Sequence, residues 1–153
     1  MTTDPTGQES AEDSSHKEVD FIPERDNLLQ DLVDMTNMFP ENKIGVTLQM
    51  AGILVSGIII AGDEFYRLFA DQLASPGSEV HKEYVLRGDR YKVGRETQSG
   101  EEQSAAMGHT AFIHLKDCTL WQGSIGNGIG VPLWRGRIAN VDAFWRGILE
   151  RTN

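Results

Sequence analysis

The chain has 153 residues and a formal net charge of −9, from 23 acidic and 14 basic side chains. This length corresponds to one domain, and the acidity argues against a broad surface for nucleic acid or anionic lipid. The single cysteine, Cys118, excludes an internal disulfide and a four-cysteine zinc site. The first residues lack the apolar core of a secretory signal, so we expect a cytoplasmic protein.

The first 20 residues are acidic and almost free of apolar side chains. Only Met1, Ala11 and Val19 are apolar there. Residues 1–31 hold nine acids and two bases, a net charge of −7. Such a segment cannot bury enough surface to offset its chain entropy. We therefore expect a disordered acidic tail over residues 1–20 and a single folded domain over residues 21–153.

The folded part begins with helical spacing that changes to strand spacing. Apolar residues recur every three or four positions between Pro23 and Pro40, which predicts a helix that Pro40 ends. Alternation of apolar and polar residues over 44–50 predicts a half-buried strand. The β-branched run over 53–60 predicts a second strand, with a tight turn at 51–52.

The most hydrophobic part of the chain runs from Met50 to Gly62. It is 13 residues long, whereas a membrane-spanning helix needs about 20, so we interpret it as a buried strand and expect no membrane span. Asp63 follows as a good N-cap for a second helix that extends to about Leu73. Serine, proline and glycine at 75–77 end this helix.

Residues 78–108 are weakly patterned. A short helix from Ser78 to Arg87, ended by Gly88, fits the sequence, and we expect the remainder to form a long irregular excursion. Basic side chains in this region alternate with acidic ones, which favours a solvated face over the alternative of a phosphate-binding patch. These basic residues are Lys82, Arg87, Arg90, Lys92 and Arg95.

Three further strand patterns follow, at 110–116, 118–122 and 132–139. A glycine-rich loop at 123–130 separates the last two. A strand-like segment containing Pro132 comes after this loop, whereas a phosphate-binding loop runs into a helix. The pattern therefore predicts a hairpin loop.

Two parts of the sequence resemble each other when they are aligned with an offset of 79 positions. Gly57 aligns with Gly136 and Asp63 with Asp142, and an aromatic-arginine pair ends both segments. We interpret each copy as a strand followed by an aspartate cap and one turn of helix. The similarity predicts a repeated unit in which a strand leads into a helix or into a turn.

Candidate catalytic and metal-binding residues are sparse. His109, His114, Asp117 and Cys118 lie close in sequence, but side chains of a strand alternate between faces, so they would not converge on one ion. His114 is better interpreted as a residue at the boundary of the core. No nucleophile elbow or metalloprotease motif occurs. We expect no catalytic, cofactor or metal site and a non-enzymatic function.

Three blocks of the chain together resemble the gas vesicle accessory protein U family. They are VTLQMAGILVSGIIIAGDEF (46–65), FIHLKDCTLWQG (112–123) and LWRGRIANVDAFWRG (133–147). The resemblance implies an accessory role in the assembly, stability or clustering of gas vesicles, with shell proteins or other accessory proteins as partners. It implies no enzymatic activity and no cofactor.

The pattern as a whole predicts an α+β fold. We expect a small antiparallel sheet of about five strands, either open or curled into a barrel, with packed helices. A barrel would resemble Sm-like proteins, which makes an RNA-binding module the alternative function. The net acidity and the absence of a basic strip argue against nucleic acid as a partner.

The candidate interaction surface lies in the C-terminal block, where positive charge is concentrated. Tryptophan and arginine are the residues most enriched at binding hot spots. The candidates are Arg135, Arg137, Trp145 and Arg146. Their charges also suit self-association, in which the sheet of one copy attracts the acidic tail of another. Arginines on an edge strand also serve simply to keep it soluble, so both interpretations stand.

Overall fold

A computed structural model describes residues 26–96, 110–123 and 128–150. The acidic tail expected at residues 1–20 lies outside this part of the chain. The helices and strands are α1 Asn27–Met38, β1 Ile44–Met50, β2 Ile53–Ile59, α2 Gly62–Leu73, α3 Glu79–Gly88, α4 Arg90–Glu96, β3 Phe112–Gln122, β4 Ile129–Arg137 and β5 Ala143–Arg146.

The five strands form one antiparallel sheet in the order β4-β3-β2-β1-β5. This confirms the predicted α+β class. The sheet is open, because β4 and β5 end the order and do not pair with each other, so the barrel form is not adopted. Ala51 and Gly52 join β1 to β2 with φ angles of 45° and 80°, the left-handed conformation that tight hairpin turns require.

One face of the sheet, which we call the first face, holds the main core. Leu29 and Val33 of α1 belong to the same buried cluster as Val46 and Leu48 of β1 and Val55 of β2. This arrangement follows from the sequence, because α1 has its apolar residues at helical spacing and each strand alternates. The Asp26 side chain accepts hydrogen bonds from two backbone N–H groups in the first turn of α1.

The opposite face of the sheet, which we call the second face, is covered in part by α2. Glu64 of α2 accepts a hydrogen bond from Lys116 of β3 at 2.8 Å and also pairs with Lys43. Burial alone would raise the pKa of Glu64, but the hydrogen bonds and charges of Lys116 and Lys43 outweigh it and lower the pKa. Glu64 thus remains ionised and fastens α2 to the sheet.

The predicted N-cap of α2 is wrong. The capping position is Ala61, and the N–H of Gly62 donates to the side chain of Asn37 on α1 at 2.8 Å. Asp63 lies inside the first turn, where its carboxylate accepts two hydrogen bonds from Arg95, at 2.9 and 2.7 Å. The aspartate therefore connects α2 to α4, because a bidentate arginine contact competes successfully with local capping.

α3 corresponds to the short helix expected from Ser78 to Arg87, and a further helix, α4, occupies part of the region where an irregular excursion is expected. α3 begins after Ser78, whose hydroxyl accepts from the N–H of His81, and α4 follows it. Tyr91 of α4 packs flat against Gly62, where an added Cβ would lie 2.4 Å from the ring. This contact and the Arg95 pair supply the tertiary packing that a short helix needs. Residues 97–109 lie outside the described chain.

The C-terminal strands differ from the prediction in two respects. β3 is one continuous strand, in which Asp117 has a φ of 51° and the pairing with β2 shifts register. Asp142 caps no helix, since the segment after it is β5, which pairs with β1. Its carboxylate instead accepts from the N–H of Ala51 at 3.1 Å. The two similar segments therefore end in different structures, a helix in one case and a strand in the other.

The chain turns back after β5 and crosses the second face. We call residues 147–150 the C-terminal strap. The Thr47 hydroxyl donates to the carbonyl of Gly147 at 2.9 Å, and the N–H of Leu149 donates to the Ser56 hydroxyl at 2.8 Å. Thr47 and Ser56 also hydrogen-bond each other, so two fully buried hydroxyls hold the strap on β1 and β2.

Candidate interaction surface

The four candidate residues lie at opposite edges of the sheet. Arg135 and Arg137 belong to β4, and Trp145 and Arg146 belong to β5. Four strand spacings separate these edges, about 19 Å at 4.8 Å each. The structure therefore forms two separate edge surfaces instead of the single one that proximity in sequence suggests.

The β4 edge carries two arginines on the second face of the sheet. The guanidinium of Arg135 lies 3.8 Å from the centre of the Phe112 ring, which is a cation–π contact. Arg137 is directly opposite Phe112 in the β3–β4 register. Both arginines are exposed, so the charges remain accessible while Phe112 holds one of them in place.

The two candidate residues of β5 lie on opposite faces of the sheet. Trp145 lies opposite Thr47 on the second face and is 41% exposed. Arg146 lies opposite Val46, on the first face, and is exposed. A single partner surface that contacts the β5 edge from one face would therefore meet either the tryptophan or the arginine.

The edge arginines differ from the other cations in their partners. Within the described chain, Arg135, Arg137 and Arg146 have no carboxylate within ion-pair distance. The cations of the 78–96 region are occupied internally. Lys82 pairs with Glu79, Arg87 with Glu83, Lys92 with Asp89 and Arg95 with Asp63, while Arg90 contacts the hydroxyls of Tyr66 and Tyr91. Four of these five cations are therefore paired with carboxylates, which leaves less uncompensated positive charge to bind phosphate.

His114 lies in an aromatic cluster beneath α2 and α4. Its ring is 4.5 Å from that of Phe65, with Tyr66 and Tyr91 at 6.3 and 5.8 Å. It is 1% exposed, so its predicted position at the core boundary is wrong. Neither ring nitrogen has a hydrogen-bond partner among the residues that the structure describes. Burial, and then the charges of Arg135 and Arg90, lower the pKa of His114 to about 3, and the ring is neutral at physiological pH.

Metal ligation and thiol chemistry are the remaining candidates in the described chain. The described residues contain no group of three or more histidine, cysteine, aspartate or glutamate side chains placed to hold a metal ion. Cys118 belongs to the first-face core, and burial followed by the charge of Asp117 raises the pKa of its thiol to about 12. The thiol is therefore protonated and unreactive. None of the described helices is both long and apolar enough to span a membrane.

The open five-stranded antiparallel sheet and the helices packed on it define an α+β protein. When the chain is compared with models of known protein families, residues 26–149 match the gas vesicle protein GvpU-like family. The chain belongs to this family, as its three sequence blocks indicate. Comparison with curated proteins and with solved structures gave no match. Neither the open sheet nor the family supports the Sm-like alternative.

Proposed function

We propose that this protein is a non-enzymatic accessory factor that associates with gas vesicles and assists their assembly, stability or clustering through protein–protein contacts. Family membership supports the connection with gas vesicles. The observation that carries the contact mechanism is the set of edge arginines that have no carboxylate partner among the described residues, above all Arg135 and Arg137.

The arginines of β4 suit an acidic partner. Arg135 and Arg137 are two positions apart, so their side chains project from the same face. Guanidinium groups form bidentate contacts with carboxylates, and Phe112 restricts the Arg135 side chain before any partner arrives. Acidic groups on the vesicle shell, on another accessory protein or on a second copy of this chain are the partners that this chemistry accepts.

Charge reversal at β4 tests the proposal. In the double variant Arg135→Glu/Arg137→Glu, we expect less protein to sediment with isolated vesicles at low salt, because the contact becomes repulsive. High salt should reduce the association of the unmodified protein, since exposed charges are screened over about 8 Å at physiological ionic strength. Sedimentation of the protein without vesicles shows whether a second copy is the partner.

The control is Arg67→Glu/Lys82→Glu, which changes the net charge equally on α2 and α3. Both control residues are exposed and pair with carboxylates on helices, and neither belongs to a strand. We expect the control variant to associate with vesicles as the unmodified protein does. Undiminished association of a folded Arg135→Glu/Arg137→Glu variant at both salt concentrations would refute the electrostatic contact and leave the family membership unaffected.

A further inference from the structure

We infer that the outer edge of β4 binds an extended segment of a partner protein in which acidic and apolar residues alternate, and that this segment joins the sheet as an additional strand. This inference rests on the proposed function, because it uses the same two arginines. It specifies the conformation and the side-chain pattern of the partner, which a general electrostatic contact leaves open.

The backbone of β4 has unpaired groups at the required positions. The N–H of Ile138 donates to the carbonyl of Ala111 on the β3 side. Backbone groups of alternate residues in a strand point the same way, so the N–H and C=O groups of Trp134 and Gly136 also point toward β3. Leu133, Arg135 and Arg137 direct theirs outward. No described strand pairs with this side of β4. The outward groups span about 13 Å, enough to pair with a short strand.

The side chains of β4 specify what the added strand carries. Arg135 and Arg137 project on the second face, so a partner residue beside them on that face is acidic. On the first face Trp134 packs against the core, and its ring lies over Gly136, where an added Cβ would be 2.1 Å away. This half-buried indole offers an apolar surface to the intervening residues of the partner. Acidic and apolar residues therefore alternate in the segment that fits.

The β5 edge lacks these features. The N–H of Gly147 donates to the carbonyl of Gly45, so the backbone groups of Trp145, two residues earlier, also point toward β1. The backbone groups of Phe144 and Arg146 point outward. Among the described residues, one arginine lies on this edge, and β5 has four residues whereas β4 has nine. The paired positive charges and the length that a bound strand needs occur together on β4.

Peptide binding to the full-length protein tests the inference. The probe is an acetylated and amidated hexapeptide in which glutamate and valine alternate. The first comparison is a hexapeptide of the same composition with three glutamates followed by three valines. The second is the alternating peptide with N-methyl groups on the backbone nitrogens that would pair with β4. We expect the alternating peptide to bind at least about tenfold more tightly than either comparison peptide, because the block peptide loses the side-chain placement and the N-methylated peptide loses the backbone pairing.

Amide hydrogen exchange locates the bound peptide. In the free protein, the outward N–H groups of Leu133, Arg135 and Arg137 should exchange fast and those of Trp134 and Gly136 slowly. The alternating peptide should slow exchange at the three outward positions. Binding should fall at least about tenfold in Arg135→Glu/Arg137→Glu and remain unchanged in Arg67→Glu/Lys82→Glu.

The outcomes separate this inference from the proposed function. Equal affinity for the alternating and block peptides, or unchanged exchange at the outward amides, would overturn strand addition. Salt-sensitive vesicle association that depends on Arg135 and Arg137 would then still support the general contact. Tight binding of the N-methylated peptide would also overturn the inference, because that peptide cannot form the required backbone hydrogen bonds.

Discussion

Replacement of His114 by phenylalanine should make the protein less sensitive to acid. The neutral imidazole lies against Phe65, and neither ring nitrogen has a partner in the described part of the chain, so an apolar ring loses no described hydrogen bond at this position. Protonation would place a positive charge among aromatic rings near Arg135 and Arg90. The folded state therefore resists taking up a proton that the unfolded chain accepts readily.

The size of the effect follows from the two pKa values. A histidine ionises with a pKa of 6.5 in the unfolded chain, and His114 has a pKa of about 3 in the folded one. Between these values the unfolded state binds one proton more, so the free energy of unfolding falls as the pH falls, by about 1.4 kcal/mol per unit. Acidification from neutral pH to pH 5 should cost the unmodified protein about 2 kcal/mol through His114 alone. Any folded-state pKa below about 4 gives nearly the same loss.

Urea unfolding at pH 7.5 and pH 5.0 measures this effect. Carboxylates also titrate in this range, but they contribute to both proteins, so the difference between the unmodified protein and His114→Phe isolates the histidine. A second variant, His114→Leu, guards against steric strain from the larger ring. We expect both variants to gain about 2 kcal/mol relative to the unmodified protein on going to pH 5.0.

The reasoning would be refuted if the difference between the unmodified protein and each variant stayed constant over this pH range. Such a result would mean that His114 ionises equally in both states. It would then have to be hydrated or hydrogen-bonded in solution, contrary to its burial. The absolute stability of either variant does not enter this comparison.

Two further substitutions test the other sheet edge and the C-terminal strap. Trp145→Ala should weaken vesicle association. It should also lower the free energy of unfolding by about 1–2 kcal/mol, because over half of the side chain is buried. Full association of the folded variant would show that Trp145 is not part of the contact surface. Ser56→Ala deletes the hydroxyl that accepts a hydrogen bond from the Leu149 amide. We expect the free energy of unfolding to fall by about 1–3 kcal/mol and the Leu149 amide to exchange faster. Unchanged exchange would show that Ser56 does not hold the strap.

The local elements were predictable from the sequence because their signals are local. The spacing of apolar residues predicts α1, the alternation over 44–50 predicts β1, and Ala51-Gly52 predicts the turn between β1 and β2. Capping at Asp63 was predicted wrongly because its partner, Arg95, lies 32 positions later in the chain. A propensity rule cannot register a competing partner at that distance in sequence.

The sequence does not predict how the four candidate residues are arranged on the sheet. Arg135 and Arg146 are close in sequence, yet strand order places them on opposite edges. Nothing in the local pattern specifies that β5 crosses the sheet to pair with β1. The burial of His114 has the same origin, since α2 and α4 cover a strand position that looks half-exposed when β3 is considered alone.

The short strand β5 also protects the rest of the sheet from other chains. Without it β1 would be an edge, and β1 is seven residues long with apolar side chains at alternate positions. An exposed edge of that kind is a template for intermolecular pairing and aggregation. β5 is attached by four residue pairs and by the strap that Thr47 and Ser56 hold. Damage to either attachment would therefore be observed first as insolubility.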